Sequence, residues 1–122
     1  MIEVIHNSGN HLDIVINGKI DAAGMRSALD ALVTESENIE GGTMLYRIED
    51  FQFPSLAAIA IEFSRMPKLL KLIKKFERIA VLSDKKWLQK ISEIEGKFFP
   101  GLDIKAFDFK DLERAEAWLA AK

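Results

Sequence analysis

Two short runs of mostly β-branched residues open the chain. Glu3–His6 and Leu12–Ile16 have the composition of strands, and the turn-forming residues Asn7–Asn10 separate them. This arrangement predicts an antiparallel β-hairpin at the start of a sheet.

Three further stretches predict strands later in the chain. Met44–Ile48 is mostly apolar, and Ile79–Leu82 is apolar throughout, as expected of a parallel strand that is covered on both faces. Near the end, apolar residues alternate with polar ones over Leu102–Ala106, which predicts a final strand.

Between these strands, apolar residues recur at steps of three and four, the spacing of an amphipathic helix. Four helices are predicted, beginning after Asp21, after Phe53–Pro54, after Ser83 or Asp84, and after Asp108 or Asp111. Pro67 interrupts the second helix, because proline removes a helical hydrogen bond.

The predicted order of elements is β-β-α-β-α-β-α-β-α. Strands that alternate with helices require right-handed crossovers and a mostly parallel sheet. We therefore expect one α/β domain over residues 1–122, with an antiparallel hairpin at its N-terminus and helices packed on the sheet.

The amino-acid composition excludes several classes of site and function. The 122 residues include no cysteine and two histidines, which rules out thiolate metal sites, thiol nucleophiles and disulfide scaffolds. The formal charge of −2 argues against general nucleic-acid binding. No apolar run is long enough to span a bilayer, and the N-terminus lacks a signal pattern. The expected location is the cytoplasm.

Candidate catalytic and metal-binding residues are few. His6 and His11 flank the first turn, where two solvated histidines are a commoner explanation than a metal site completed by Glu3 or Asp13. No glycine-rich phosphate loop follows a strand. We expect a protein that is not an enzyme and that needs no metal or cofactor.

Positive charge is concentrated in one segment. Residues 63–90 carry nine basic and two acidic side chains, whereas residues 1–62 carry three and ten. At about 100° per residue, the lysines and the apolar residues near its centre fall on separate arcs of a helix. The predicted membrane contacts, within the segment 65–78, are Lys68, Leu69, Lys71, Leu72, Lys74, Lys75 and Phe76.

Separate lysine and apolar faces are typical of a helix that lies on an anionic membrane surface. They predict peripheral association with the inner membrane face. The alternative is a helix that faces the core while its lysines extend over the flank of the domain.

An apolar pocket is predicted between this helical region and the sheet. Trp87 follows the central strand at the end where open α/β sheets bind ligands, and Arg47 and Arg65 are expected to meet a carboxylate or phosphate head group. The predicted lining is Ile59, Phe63, Met66, Leu70, Trp87, Arg47 and Arg65. Solid packing of the same side chains is the alternative. A hinge at Pro67 would give open and closed forms.

Phe76–Trp87 runs from a predicted strand into a predicted helix, and Ile104–Leu119 joins the last strand to a helix that contains Trp118. Together these stretches resemble the SpoIIAA-like family, within the wider STAS grouping, and the resemblance covers essentially the whole chain. It implies a non-enzymatic α/β domain related to anti-sigma-factor antagonists and to lipid-carrying CRAL-TRIO domains.

The resemblance implies two alternative functions. The SpoIIAA-like branch is associated with apolar ligands and membrane contact, which agrees with the lysine-rich segment. The antagonists are regulatory modules that bind a protein partner and are phosphorylated in an Asp-Ser-Ser-Gly motif before the second helix. Here the turn Phe53–Ala57 offers Ser55 without the acid or the glycine, so Ser55 is expected to cap the helix. The first function is favoured, and a homodimer is left open.

Overall fold

Five strands form one mixed sheet in the computed structural model, which describes residues 2–52, 55–86, 88–90, 93 and 101–121. The strands are β1 (Ile2–Ser8), β2 (His11–Gly18), β3 (Gly42–Phe51), β4 (Phe76–Leu82) and β5 (Asp103–Phe107). They lie side by side in chain order. β1 and β2 pair antiparallel, and the other neighbours pair parallel, which confirms the predicted sheet.

Four helices with complete bounds accompany the sheet in the described part of the chain. They are α1 (Ala22–Glu35), α2 (Leu56–Ser64), α3 (Met66–Ile73) and α4 (Leu112–Ala120). A single 3₁₀ turn at Phe109–Asp111 leads into α4, and the described residues 86, 88–90 and 93, after β4, are also helical. The order of elements is the predicted one, except that the second predicted helix is two separate helices.

Two helices begin at side-chain caps that the sequence predicts. The carboxylate of Asp21 accepts a hydrogen bond of 2.7 Å from the backbone N–H of Gly24 at the start of α1. The hydroxyl of Ser55 accepts one of 3.1 Å from Ala58 at the start of α2. Each bond satisfies one of the donors that a helix leaves free in its first turn.

The helices divide between the two faces of the sheet. α1, α2 and α3 pack on one face, which we call the covered face, around a core that includes Leu12, Ile14, Met25, Leu29, Met44, Ala58, Leu72, Ile79 and Val81. α4 packs on the opposite face over β3 and β4, in a smaller core of Ala80, Leu82, Phe107, Ala115 and Leu119. β4 is therefore buried on both faces, as its unbroken apolar run predicts.

Arg78 on β4 holds the end of α4 against the sheet. Its guanidinium donates hydrogen bonds of 2.6 Å to the carbonyl oxygens of Trp118 and Ala121. It also lies 5.4 Å from the centre of the Trp118 ring. A cation at this position satisfies the free carbonyls of the last turn and matches the negative end of the helix dipole.

The break between α2 and α3 changes which residues face the core. Pro67 lies in the first turn of α3, where a proline costs no hydrogen bond. Because α3 is a separate helix, the side of it that faces the core does not continue the core-facing side of α2. Leu72 is 5% exposed and Leu70 is 43% exposed, the reverse of the prediction. Phe76, expected on the helix, is the first residue of β4 and is 3% exposed.

Candidate functional site

An apolar cavity of about 410 Å³ lies on the covered face, between the sheet and helices α1 and α3. All five strands contribute to its lining. α1 contributes Met25, Ala28, Leu29 and Leu32, and α3 contributes Leu69, Leu72 and Ile73. The alternation of side chains along the strands points one set of apolar residues, such as Ile14 and Val81, into this space.

Two side chains bring polarity to the cavity lining. Tyr46 reaches it from β3 and Glu62 reaches it from the second half of α2. Both residues are half-buried. Every other described lining residue is apolar, so the space matches a molecule that is mostly hydrocarbon.

The lining predicted from the sequence differs from the lining observed. Ile59 and Met66 are half-buried and Leu70 is exposed, but none of them lines the cavity. Phe63, whose backbone belongs to α2, has a side chain outside the described part, and Trp87 lies outside it altogether. The cavity instead uses the other side of α3, because that helix is not continuous with α2.

The two arginines expected at a ligand head group lie away from the cavity. Tyr46 and Ile48 line it from β3, so Arg47 between them extends from the opposite face of the sheet. Arg65, at the junction of α2 and α3, forms an ion pair with Asp30 of α1. The structure therefore does not bring these two cations together.

Three of the four lysines predicted to contact a membrane are exposed: Lys68, Lys71 and Lys74. Lys75 donates a hydrogen bond of 3.1 Å to the carbonyl oxygen of Glu37. The three apolar residues assigned to the same surface, Leu69, Leu72 and Phe76, belong to the core instead. The lysines of α3 are therefore exposed, whereas the apolar residues predicted to contact the membrane face the core. Leu70 is the large apolar residue that α3 exposes instead.

A second concave surface of about 700 Å³ lies on the opposite face, where β1, β2 and β3 extend beyond α4. We call it the open groove. Both the strands and the helix contribute polar and apolar residues to it. Its lining includes His11, Asp13, Val15, Thr43, Leu45, Arg47, Leu112, Glu116 and Leu119.

His11 connects two neighbours in the open groove. Its Nε2 lies 2.8 Å from a carboxylate oxygen of Asp13, and its Nδ1 lies 2.7 Å from the hydroxyl oxygen of Thr43. A carboxylate only accepts, so Nε2 donates to Asp13. His11 is therefore a half-buried, hydrogen-bonded residue rather than the solvated edge histidine that the sequence suggests.

Asp108 lies just beyond the carboxyl end of β5. Its carboxylate accepts hydrogen bonds of 2.9 Å from Gln89 and 3.2 Å from Lys86. The bond from Gln89, followed by the bond from Lys86, lowers the pKa of Asp108 below its usual value. The contacts tie the helical residues after β4 to the end of β5.

The described part of the chain offers neither a metal centre nor a membrane span. No three histidine, aspartate or glutamate side chains within it cluster as metal ligands. None of its helices is both long and apolar enough to cross a bilayer.

Comparison with solved structures places this fold among known ones. An uncharacterized protein from Shewanella loihica PV-4, of the DUF3478 family and with a SpoIIAA-like fold, superposes with a TM-score of 0.74 at 21% identity, over 98% of this chain and 93% of its own. At this level of identity the likeness concerns the fold alone.

The phosphorylated form of the Bacillus cell fate determinant SpoIIAA gives a TM-score of 0.58 at 15% identity, over 97% of this chain and 99% of its own. The unphosphorylated anti-sigma factor antagonist SpoIIAA gives 0.58 at 13% identity, over 99% and 100%. No curated protein matches the sequence.

The sequence itself carries the family assignment. The SpoIIAA-like family model matches residues 11–120, from the first residue of β2 to the last residue of α4. With the predicted resemblance confirmed over nearly the whole length, the chain belongs to the SpoIIAA-like family.

Proposed function

We propose that this protein is a non-enzymatic module that binds an apolar, lipid-like molecule in the cavity beneath α3 and contacts anionic membranes through the lysines of that helix. The observation that carries the proposal is the cavity itself. Its volume of about 410 Å³ falls within the range of roughly 300–1,000 Å³ that is usual for small-molecule sites.

The physical argument starts from ordinary core packing. Protein interiors leave few voids larger than a water molecule, and an apolar void does not hold water well. A space of this size, lined by residues such as Leu29, Leu72 and Val81, leaves apolar surface without neighbouring atoms. An apolar ligand would supply those contacts, at about 0.8 kcal/mol for each methylene that it buries.

α3 is the element best suited to admit such a ligand. It has eight residues and is joined to α2 by Arg65 alone. A helix this short has little stability of its own, so its attachment depends on the three lining residues Leu69, Leu72 and Ile73. Displacement of α3 would open the cavity, which gives the open and closed forms expected from Pro67.

The exposed face of α3 supports a membrane as the source of the ligand. Lys68, Lys71 and Lys74 project from it, with Leu70 beside them. Each lysine near an anionic surface contributes on the order of 1 kcal/mol to binding. The same short helix thus carries the membrane contacts on one side and the ligand contacts on the other.

Filling the cavity tests the ligand site. Ala28 is buried in α1 and lines the cavity, whereas Ala23 is exposed on the same helix. We expect Ala28→Leu to abolish the fluorescence enhancement of the neutral apolar dye Nile red. We also expect it to maintain or raise the thermal midpoint, because the added methylenes enter empty space.

Ala23→Leu is the matched control and is expected to bind the dye like the unmodified protein. If Ala28→Leu binds the dye equally well, the cavity is not the dye site. A clear loss of stability in Ala28→Leu would indicate a filled core instead, because overpacking costs about 1–3 kcal/mol.

Vesicle sedimentation tests the membrane surface. Replacing Lys68, Lys71 and Lys74 with glutamine is expected to reduce binding to phosphatidylglycerol vesicles by about a hundredfold at low salt, since three contacts of about 1 kcal/mol are lost. The control carries glutamine at Lys85, Lys90 and Lys110, which are also exposed. Equal losses in the two variants would show that net charge, and not α3, drives binding.

A second candidate function is a regulatory module that binds a protein partner. The observation in its favour is Leu56, which is 86% exposed at the start of α2, directly after the capping residue Ser55. The structural neighbours also include an anti-sigma factor antagonist that has been solved with and without its phosphate. This function requires neither dye binding nor vesicle binding, so the two experiments above separate it from the first.

A further inference from the structure

We infer that the cavity accepts one unbranched hydrocarbon chain that lies across the strands of the sheet, rather than a lipid with two chains side by side. The inference rests on the proposed function, since it specifies the molecule that the same cavity binds. The register of the strands and the volume of the cavity carry it.

The register of the strands gives the length of the space. Val4 of β1 pairs with Ile14 of β2, and Ile14 pairs with Tyr46 of β3. The same row continues to Val81 of β4, and Ile104 of β5 lies one row away. All five residues line the cavity. Because neighbouring strands are about 4.8 Å apart, the floor of the cavity is about 20 Å long.

The volume of the cavity gives its width. An extended alkyl chain advances about 1.3 Å per carbon, because its bonds of about 1.5 Å zigzag, so a floor of about 20 Å matches about 16 carbons. Because a methylene group fills about 30 Å³, close to the share of a water molecule in the liquid, a cavity of about 410 Å³ holds about 14 carbons. The two values agree only if the space is about one chain wide. Two parallel chains would need about twice the volume.

The helices that face this floor present continuous apolar sides. α1 contributes residues at steps of three and four from Met25 to Leu32, which lie along one side of that helix. α3 adds Leu69, Leu72 and Ile73. The middle of a bound chain therefore meets hydrocarbon both above and below, and such surroundings suit methylene groups better than polar ones.

A series of monoacylglycerols tests the length of the chain. They share an uncharged head group and differ only in the acyl chain, from decanoyl to octadecanoyl, and each is used to displace Nile red from the protein. We expect the displacing concentration to fall about tenfold for every two carbons up to tetradecanoyl, since each buried methylene adds to binding. Beyond hexadecanoyl we expect it to change by less than about threefold, because further carbons find no space.

Dioctanoylglycerol tests the width of the space. It carries the same number of acyl carbons as monohexadecanoylglycerol, but divides them between two shorter chains. We expect it to displace the dye only at a concentration about tenfold higher or more, because two adjacent chains overfill a space that is one chain wide.

A larger side chain at one end of the space should shorten the preferred chain. In Ile104→Trp, we expect monohexadecanoylglycerol to displace the dye about tenfold less well, since about two methylenes lose their place. Monododecanoylglycerol should be unaffected. Lys105→Trp is the matched control, because Lys105 is exposed and lies on the opposite face of the same strand. It is expected to leave the series unchanged.

Three results would contradict these expectations in different ways. An affinity that keeps rising tenfold to octadecanoyl, or equal displacement by dioctanoylglycerol and monohexadecanoylglycerol, would refute the inference while supporting the proposed function. Displacement by none of these lipids would refute the proposed function itself. If Ile104→Trp folds poorly by circular dichroism, the series in the unmodified protein decides alone.

Discussion

Each face of the sheet carries a concave surface in the described part of the chain, and the two surfaces differ in chemistry more than in size. The open groove is the larger, at about 700 Å³ against about 410 Å³ for the cavity. Its strand residues His11, Asp13 and Arg47 are polar, and water can solvate them. The cavity on the covered face offers water few partners, which is why the proposed ligand site is the smaller space.

β3 shows how one strand produces both environments. Its residues Met44, Tyr46 and Ile48 line the cavity, whereas Thr43, Leu45 and Arg47 line the open groove. The two sets alternate along the strand, as the pleat requires. A shift of one residue in the pairing of β3 would exchange the two surfaces.

The largest effect that we expect from a single substitution concerns the phase of α3. Leu72→Ala should lower the free energy of unfolding by about 3 kcal/mol, because it removes methylenes from a buried position. Leu70→Ala, two residues earlier on the exposed side, should cost less than about 0.5 kcal/mol. Urea denaturation of both variants measures the difference.

Equal costs at the two positions would contradict the assigned phase of α3. They would also remove the argument that this helix contacts the cavity with one side and presents its lysines on the other. The pair therefore tests the covered face without any ligand.

A smaller effect is expected in the open groove. Thr43→Val retains the shape of the side chain but removes the hydroxyl that pairs with His11. We expect a loss of about 1 kcal/mol or less, since water can replace the lost partner at a half-buried site. Thr34→Val, on the exposed side of α1, is the control and should have little effect.

Imidazole nitrogen chemical shifts give a second measurement of the same contact. The shift of Nδ1 of His11 should change in Thr43→Val and stay constant in Thr34→Val. Unchanged His11 shifts in both variants would show that the ring does not bond to Thr43 in solution, and the contrast between the two faces would then be weaker.

The fold was predictable from sequence because its signals are local. Apolar runs such as Ile79–Leu82 and caps such as Asp21 indicate elements without knowledge of their partners. The sequence alone does not predict the phase of α3. The steps of three and four from Ile59 to Leu70 assume one continuous helix, whereas the structure has a break at Arg65. The apolar residues of α3 that pack in the core are Leu69, Leu72 and Ile73.

The site was less predictable because its parts come from distant segments. Most of the cavity lining belongs to α1 and to strands whose neighbours are set by the sheet, and the pairing of His11 with Thr43 depends on the register between β2 and β3. The face of Arg47 could have been inferred, since Met44 and Ile48 are apolar and the alternation of the strand places Arg47 on the opposite face.

The order of the strands has a consequence for the way the protein is made. Because the sheet follows the chain from β1 to β5, each strand after β1 pairs with the strand that the ribosome released before it. Contacts between segments that are near in sequence form fastest, so β1, β2, α1 and β3 can begin to pair while α2 and α3 are still being synthesised. β4 and β5, which contribute Ile79, Val81 and Ile104 to the lining, join the sheet last. The apolar side chains of α1 and α3 that face the cavity therefore stay partly exposed until these two strands have emerged.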